Sequence, residues 1–136
     1  MACLLCLHAD IREKMDQEPT RDMVIAERER GHFVRAARLA LTLELPEEMM
    51  RELRSKALWQ MAAEWRNPAG TKFLAGAFGI SRDSLEKHLM KAMESKSSRG
   101  ETKSIEPAYD YHTGKYLSFE EWVAGLIKNW NRIPDS

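Results

Sequence analysis

Residues 71–90 read TKFLAGAFGISRDSLEKHLM, and this stretch predicts two short helices joined by a tight corner. Ala75 is small enough to lie where two helices cross closely. Gly79 follows four positions later and can adopt the positive φ that a three- or four-residue turn between helices requires. Ser81 can cap the next helix, because its side-chain oxygen accepts a hydrogen bond from the first helical turn. The first helix should therefore end before Gly79, and the second should begin after Ser81.

The apolar residues of this stretch recur at the spacing of an amphipathic helix pair. With helices over about 71–78 and 82–93, the side chains expected to face the core are Leu74, Phe78, Ile80, Leu85 and Leu89. The second helix would turn another set toward solvent, namely Arg82, Asp83, Glu86, Lys87 and Met90.

The whole pattern resembles the helix-turn-helix motif of DNA-binding proteins, over about 20 residues of the chain. The resemblance implies that the second helix enters the major groove of double-stranded DNA. Arg82 and Lys87 would then contact guanine acceptors, and Thr71, Lys72 and Ser81 would contact phosphates at helix starts. The DNA-binding residues implied in this way are Thr71, Lys72, Ser81, Arg82, Asp83, Glu86, Lys87 and Lys91. Lys91, Lys96, Arg99 and Lys103 would extend the basic surface.

The charge is unevenly distributed, although 21 basic and 21 acidic residues give the 136-residue chain a net charge of zero. Residues 51–103 contain 11 Lys and Arg against 6 Asp and Glu. Residues 1–50 contain 7 against 10, and residues 104–136 contain 3 against 5. A basic segment attracts polyanions. The charge excess thus coincides with the segment that resembles a DNA-binding motif.

Two functions remain open, and the first is a DNA-binding transcriptional regulator. One motif makes few base contacts, so a regulator of this kind is expected to be a homodimer. The second is a helical protein–protein interaction module or adaptor with no role in nucleic-acid binding. Asp83 and Glu86 on the outward face favour this second function, because acidic groups usually weaken DNA binding. Partly exposed methionines would provide an adaptable surface for a protein partner, and the candidates are Met23, Met49, Met50, Met90 and Met93.

The remainder of the chain predicts an all-α fold, built as one compact helical domain over residues 1–136. Thr20 or Asp22 can cap a helix that Gly31 ends or bends. Pro46 favours the start of another helix, and Asn67-Pro68 should end it. Residues 1–19 are expected to be a loosely docked N-terminal segment, and residues 95–106 a flexible loop.

A short β-hairpin or an extended arm is predicted near residues 108–117, where Tyr109, Tyr111 and Tyr116 flank the sequence His-Thr-Gly. Ser118 and Glu121 have the spacing of a capping box, which predicts a final helix from this point. The apolar stripe of that helix includes Trp122 and Trp130.

The composition favours a cytoplasmic protein, because two cysteines are too few for a disulfide framework. No apolar run approaches the roughly 20 residues that a membrane helix needs, so we expect no membrane partner. The start, MACLLCLHADIREK, lacks the basic leading region of a secretory signal.

Metal binding and catalysis are both disfavoured. Cys3, Cys6 and His8 supply half of a zinc site, but no second pair of ligands is found in the sequence. Both cysteines lie among leucines and suit apolar packing. There is no phosphate-binding glycine loop, His-Glu-x-x-His sequence or nucleophile elbow. We therefore expect no cofactor, no resident metal and no enzymatic activity.

Overall fold

Residues 18–134, which the computed structural model describes, form six α-helices and one antiparallel hairpin. The helices are α1 (Arg21–Glu29), α2 (Phe33–Leu39), α3 (Glu47–Trp59), α4 (Pro68–Ala77), α5 (Arg82–Ser98) and α6 (Phe119–Lys128). The strands are β1 (Ala108–Asp110) and β2 (Lys115–Leu117). Short 3₁₀ turns follow α2 and α6, and a π-helical turn (Gln60–Glu64) continues α3. The prediction of an all-α fold with one short hairpin is confirmed.

All six helices contribute side chains to one hydrophobic core. Helix α3 packs against α2, α4 and α5, and therefore occupies a central position. Among the described residues, the largest fully buried side chains are Val24, Leu53, Leu58, Thr71, Leu74, Leu85, Leu89, Phe119 and Val123. Burial of a leucine or phenylalanine side chain typically contributes about 1.5–3 kcal/mol. Phe119 packs at the first turn of α6, with its ring centroid 5.0 Å from that of Trp59.

Most helices begin or end where capping residues and glycines in the sequence predict. The Thr20 side chain accepts a hydrogen bond from the Met23 amide and caps α1. Gly31 adopts a φ of 80° between α1 and α2, as its predicted role as a helix end requires. Ser118 and Glu121 form the predicted capping box at the start of α6.

Helix α5 is longer than the sequence pattern predicts, because it continues to Ser98. Residues 95–98 are therefore helical, and the prediction of a loop over 95–106 is wrong for these four positions. The Ser98 hydroxyl donates to the Ser95 carbonyl at 2.8 Å, which gives it a partner within the helix. The Lys96 ammonium lies 5.2 Å from the centroid of the Trp59 ring and fixes the last turns against α3.

The hairpin pairs Ala108 with Leu117, Tyr109 with Tyr116, and Asp110 with Lys115. At its tip, Asp110 Oδ2 accepts hydrogen bonds from the amide and hydroxyl of Thr113, at 3.1 and 2.7 Å. The hairpin predicted near 108–117 is thus present.

Arg66 joins the end of the π-helical turn to this hairpin. Its Nε donates to the Ala63 carbonyl, and its Nη1 donates to the Leu117 carbonyl at 3.1 Å. Its Nη2 donates to the carbonyls of Ser104 and Glu106, at 3.0 and 3.2 Å. One side chain thus holds the α3 end, the loop before β1 and the end of β2 together.

Candidate nucleic-acid interface

The corner between α4 and α5 is closed by backbone hydrogen bonds around Gly79. The Ile80 amide donates to the Ala75 carbonyl at 2.8 Å, and the Gly79 amide donates to the Gly76 carbonyl at 3.2 Å. This pair of bonds is the Schellman motif, in which a residue of positive φ ends a helix. Gly79 has a φ of 70°, a backbone conformation that costs a residue with a Cβ atom free energy. The tight turn predicted at Gly79 is therefore present.

Helix α5 begins immediately after this turn. The Ser81 side chain accepts a hydrogen bond from the Ser84 amide at 3.3 Å, and caps the helix. Asp83 lies in the first turn, where the positive end of the helix dipole favours a carboxylate. The predicted helix start at Arg82 is thus confirmed.

The inward side chains of the corner pack as the apolar pattern predicts. Leu74, Ala75, Leu85 and Leu89 are fully buried. Phe78 and Ile80 are half-buried and pack against the same core. These contacts fix which side of α5 faces the rest of the protein.

The outward face of α5 consists of Arg82, Asp83, Lys87 and Lys91, which are all exposed. At about 100° per residue, Asp83, Lys87 and Lys91 follow one another along successive turns, and Arg82 flanks them at the helix start. With a rise of about 1.5 Å per residue, Arg82 and Lys91 are about 14 Å apart along the axis. Glu86 and Met90 lie beside this face and are half-buried.

The cations on this face are weakly engaged by other protein groups. Arg82 Nε lies 3.4 Å from Asp83 Oδ1, with 46% and 78% of the two side chains exposed. An exposed ion pair of this kind contributes about 0–1 kcal/mol, so a phosphate can compete for the arginine. Among residues 18–134, no carboxylate forms an ion pair with Lys87 or Lys91.

Thr71 does not have the phosphate-binding position that the motif resemblance implies. Its side chain is fully buried, and its hydroxyl donates to the Asn67 carbonyl at 2.7 Å. The assignment is wrong because α4 starts three residues earlier than predicted. Asn67 caps this helix by accepting from the Gly70 amide, and Pro68 occupies its first position. Thr71 therefore lies inside the helix and faces the core.

Lys72 also has a structural role in place of the predicted phosphate contact. Its ammonium donates to the carbonyls of Trp130 and Ile133, both at 2.9 Å. It lies 5.5 Å from the centroid of the Trp130 ring. Lys72 thus fixes the turn after α6 to α4, and its ammonium already has protein partners.

Lys96 and Arg99 do not extend the outward face, contrary to the expectation from sequence. Lys96 lies against Trp59 on the side of α5 that faces α3. Lys96 Nζ and Arg99 Nη2 each lie 3.6 Å from Glu101 Oε2. Both residues border a groove with Phe33, Lys56 and Trp59. Their position follows from the added length of α5, which the pattern of apolar residues does not indicate.

His88 is half-buried between α5 and α3, at a position where an aliphatic residue would suit the motif. Its Nε2 lies 3.4 Å from the Ser55 hydroxyl. Burial, together with the nearby charge of Lys91, lowers the pKa of His88 below its ordinary value of 6.5. A neutral imidazole is therefore favoured in the folded protein.

The methionines proposed as an adaptable surface are half-buried. Met49, Met50, Met90 and Met93 pack against the core, which leaves only part of each side chain accessible. Among residues 18–134, the large apolar side chains that are exposed are instead Leu41, Trp65, Phe73, Tyr109, Tyr111 and Tyr116.

Cys3, Cys6 and His8 lie outside the described residues. Within residues 18–134, no group of three or more His, Cys, Asp and Glu side chains is arranged to hold a metal ion. In the same range, no helix is both long and apolar enough to cross a lipid bilayer.

The chain matches no protein-family model, no curated protein and no solved structure.

Proposed function

We propose that this chain is a transcriptional regulator that binds double-stranded DNA through the outward face of α5. The observation that carries the proposal is the glycine-closed corner between α4 and α5. This corner buries Leu85 and Leu89 while Arg82, Lys87 and Lys91 remain exposed. A helix-turn-helix protein needs this combination, because its second helix must be held firmly and still enter the major groove.

The chemistry of the outward face suits groove binding. Arg82 and Lys87 are the candidates for contacts to guanine O6 and N7, and Lys91 for a phosphate contact. Asp83 and Glu86 can accept from a cytosine amino group, and they oppose binding wherever no such donor is present. Ser81, exposed at the helix start, is a further candidate for a phosphate contact.

The proposal includes a homodimer, because a single recognition helix contacts too few bases for a specific site. On mixed-sequence duplexes, the three exposed cations of each protomer contact phosphates instead of bases, and binding releases about three counterions. The logarithm of the binding constant should then fall with the logarithm of salt concentration with a slope of about −2.7 per protomer.

The test measures binding to fluorescent duplex DNA by anisotropy, over a range of salt concentrations. Arg82→Ala/Lys87→Ala should weaken binding about tenfold or more and reduce the salt slope by about 2. Lys128→Ala/Arg132→Ala is the matched control, because it also removes two exposed cations, here from the end of α6 and the turn after it. Circular dichroism checks that both variants remain helical.

Asp83→Asn provides the opposite arm of the same test. It removes the carboxylate beside Arg82 and should tighten binding to mixed-sequence duplexes several-fold, because less negative charge faces the phosphates. Equal affinities for the wild type, the Arg82/Lys87 variant and the control would contradict the proposal, as would an absence of duplex binding at low salt.

A protein–protein interaction module is the second candidate function. The observation that favours it is the exposure of large apolar side chains away from α5, with Trp65 55% and Phe73 38% exposed. Tryptophan is enriched among residues that dominate the affinity of protein interfaces.

A further inference from the structure

We propose that a groove between α2 and the end of α3 binds an amphipathic, acidic segment of a partner protein. The groove has a volume of about 770 Å³. Its apolar lining is formed by Pro19, Val34, Leu39, Met61 and Trp65, and its polar rim by His32, Arg35, Arg38 and Thr42. This surface shares no residue with the outward face of α5, so the inference is independent of the proposed DNA binding.

The apolar part of the groove has a buried floor, formed by Val34 and Met61, and an exposed side, formed by Trp65. Val34 and Met61 are only 6% and 9% exposed and form part of the core. Trp65 stands beside them with more than half of its surface open to solvent. The Trp65 backbone is held by a hydrogen bond from its amide to the Gln60 carbonyl at 2.9 Å. A large aromatic side chain next to an apolar floor can bury a partner's apolar side chains, and tryptophan is enriched among the residues that dominate interface affinity.

The rim determines the charge of the partner. Arg35 and Arg38 are exposed, and among residues 18–134 no carboxylate lines the groove. Glu27 lies behind the rim, where its two carboxylate oxygens contact His32 Nδ1 at 2.8 Å and Arg35 Nε at 3.6 Å. Arg38 stacks over the ring of Phe73 at 5.5 Å, and no carboxylate pairs with it within residues 18–134. The groove is therefore complementary to carboxylates that flank apolar side chains.

Two other kinds of occupant fit this surface less well. A second copy of the chain in a symmetric contact would bring the same arginines together, and like charges would oppose association. A single-stranded nucleic acid is held largely by stacking of its bases on aromatic side chains, and among residues 18–134 Trp65 is the only Trp, Tyr or Phe that lines this groove. The floor here is instead aliphatic, with Val34, Leu39 and Met61. The volume is also in the range of about 300–1,000 Å³ that accommodates small ligands, so it suits a few side chains of a docked helix.

The experiment uses two synthetic, fluorescein-labelled helical peptides of identical length. Both have leucine at positions i, i+3, i+4 and i+7, with glutamate at the remaining positions in one peptide and lysine in the other. Fluorescence polarisation with the full chain should show that the acidic peptide binds about tenfold or more tightly than the basic one. Trp65→Ala should weaken binding of the acidic peptide about tenfold or more. Tyr111→Ala is the control, because it removes an aromatic side chain that is 89% exposed on the hairpin.

A charge-reversal variant tests the proposal even if Trp65→Ala also perturbs folding. Arg35→Glu/Arg38→Glu should reverse the preference, so that the variant binds the basic peptide more tightly than the acidic one. Equal binding of both peptides to the wild type would overturn the proposal. It would also be overturned if single-stranded DNA bound this groove in a Trp65-dependent manner, if Trp65→Ala dissociated a dimer, or if the peptides bound only after removal of residues 1–17.

Discussion

Gly79 determines the direction in which the chain leaves α4. Its φ of 70° lies in the left-handed region, while Gly76, three residues earlier, is inside the helix. A Cβ atom added at either position would meet no atom within 4 Å. The two glycines therefore differ in backbone conformation and not in available space, which makes them a matched pair.

We expect Gly79→Ala to lower the free energy of unfolding by about 1–2 kcal/mol, because alanine is strained at positive φ. Gly76→Ala should raise it by up to about 1 kcal/mol, because alanine favours the helix more than glycine does. Urea unfolding monitored by circular dichroism measures both changes. Equal effects of the two substitutions would show that Gly79 is not required in the left-handed region.

His88 makes the stability of the fold sensitive to pH. In the unfolded chain its imidazole takes up a proton near the ordinary pKa of 6.5, whereas burial lowers the pKa in the folded protein. As the pH falls below about 6.5, the unfolded state binds more protons, and the folded state loses stability. The carboxyl groups of Glu27, Glu52, Asp110 and Glu121 also have lowered pKa values. Their effect appears only at lower pH, where carboxylates become protonated.

We expect the free energy of unfolding to fall between about pH 7.5 and pH 5.5, and His88→Gln to reduce that fall. Glutamine keeps a polar group near Ser55 but does not titrate. His112→Gln is the control, because His112 is exposed on the hairpin. If His88→Gln and the wild type lost the same stability over this range, His88 would not be the group responsible.

At the scale of secondary-structure elements, the side chain of Arg66 connects the α3–α4 junction to the hairpin and to the start of α6. Four backbone carbonyls accept its hydrogen bonds, and its guanidinium lies 5.6 Å from the centroid of the Phe119 ring. Burial lowers the pKa of Arg66, although the charge of Asp110 opposes this effect. The hairpin and the start of α6 thus depend on one side chain of the α3–α4 junction.

Arg66→Met should lower the free energy of unfolding by about 2–3 kcal/mol, because it removes several hydrogen bonds from a charged group, most of them to partly buried carbonyls. Arg66→Lys should cost nearly as much, since an ammonium cannot span carbonyls in several directions as a guanidinium does. Both variants retain a Cβ atom at the Arg66 φ of 49°, so backbone strain is unchanged.

Arg51→Met, at an exposed position of α3, is the control. Denaturant unfolding and amide exchange of the β1–β2 pair measure the effect. A loss no larger than that of Arg51→Met would contradict this role.

Helix ends that depend only on neighbouring residues could be predicted from the sequence. Thr20, Gly79, Ser81 and the Ser118–Glu121 pair act within one or two turns, and each ends or begins a helix as predicted. The end of α5 could not be predicted in this way, because Lys96 is held by Trp59, which is 37 residues away.

At the scale of the whole molecule, the basic excess of residues 51–103 does not become a continuous positive surface. Arg66 and Lys72 donate to backbone carbonyls, and Lys96 lies against Trp59. The cations that remain on the outward face of α5 are Arg82, Lys87 and Lys91. The charge count therefore overestimates how many cations of this segment the outward face of α5 offers to a polyanion.

The candidate site could be predicted only in part, for the same reason. The positions of Arg82, Asp83, Lys87 and Lys91 depend on the helical repeat and on the core positions around them. The burial of Thr71 depends on where α4 starts, and the contacts of Lys72 depend on residues 58 and 61 positions later in the chain. The groove beside Trp65 also combines distant parts of the sequence, from α2 and the π-helical turn, and no local pattern indicates it.

The position of Lys72 has a consequence for the chemical reactivity of the lysines. An amine must approach an electrophile before it can be acylated, and the two carbonyls that hold the Lys72 ammonium oppose this approach. Lys87 and Lys91 extend into water and are accessible to such reagents. Acylation of the native protein will therefore mark Lys87 and Lys91 on α5 well before Lys72 on α4, and modification of Lys72 will report that the turn after α6 has separated from α4.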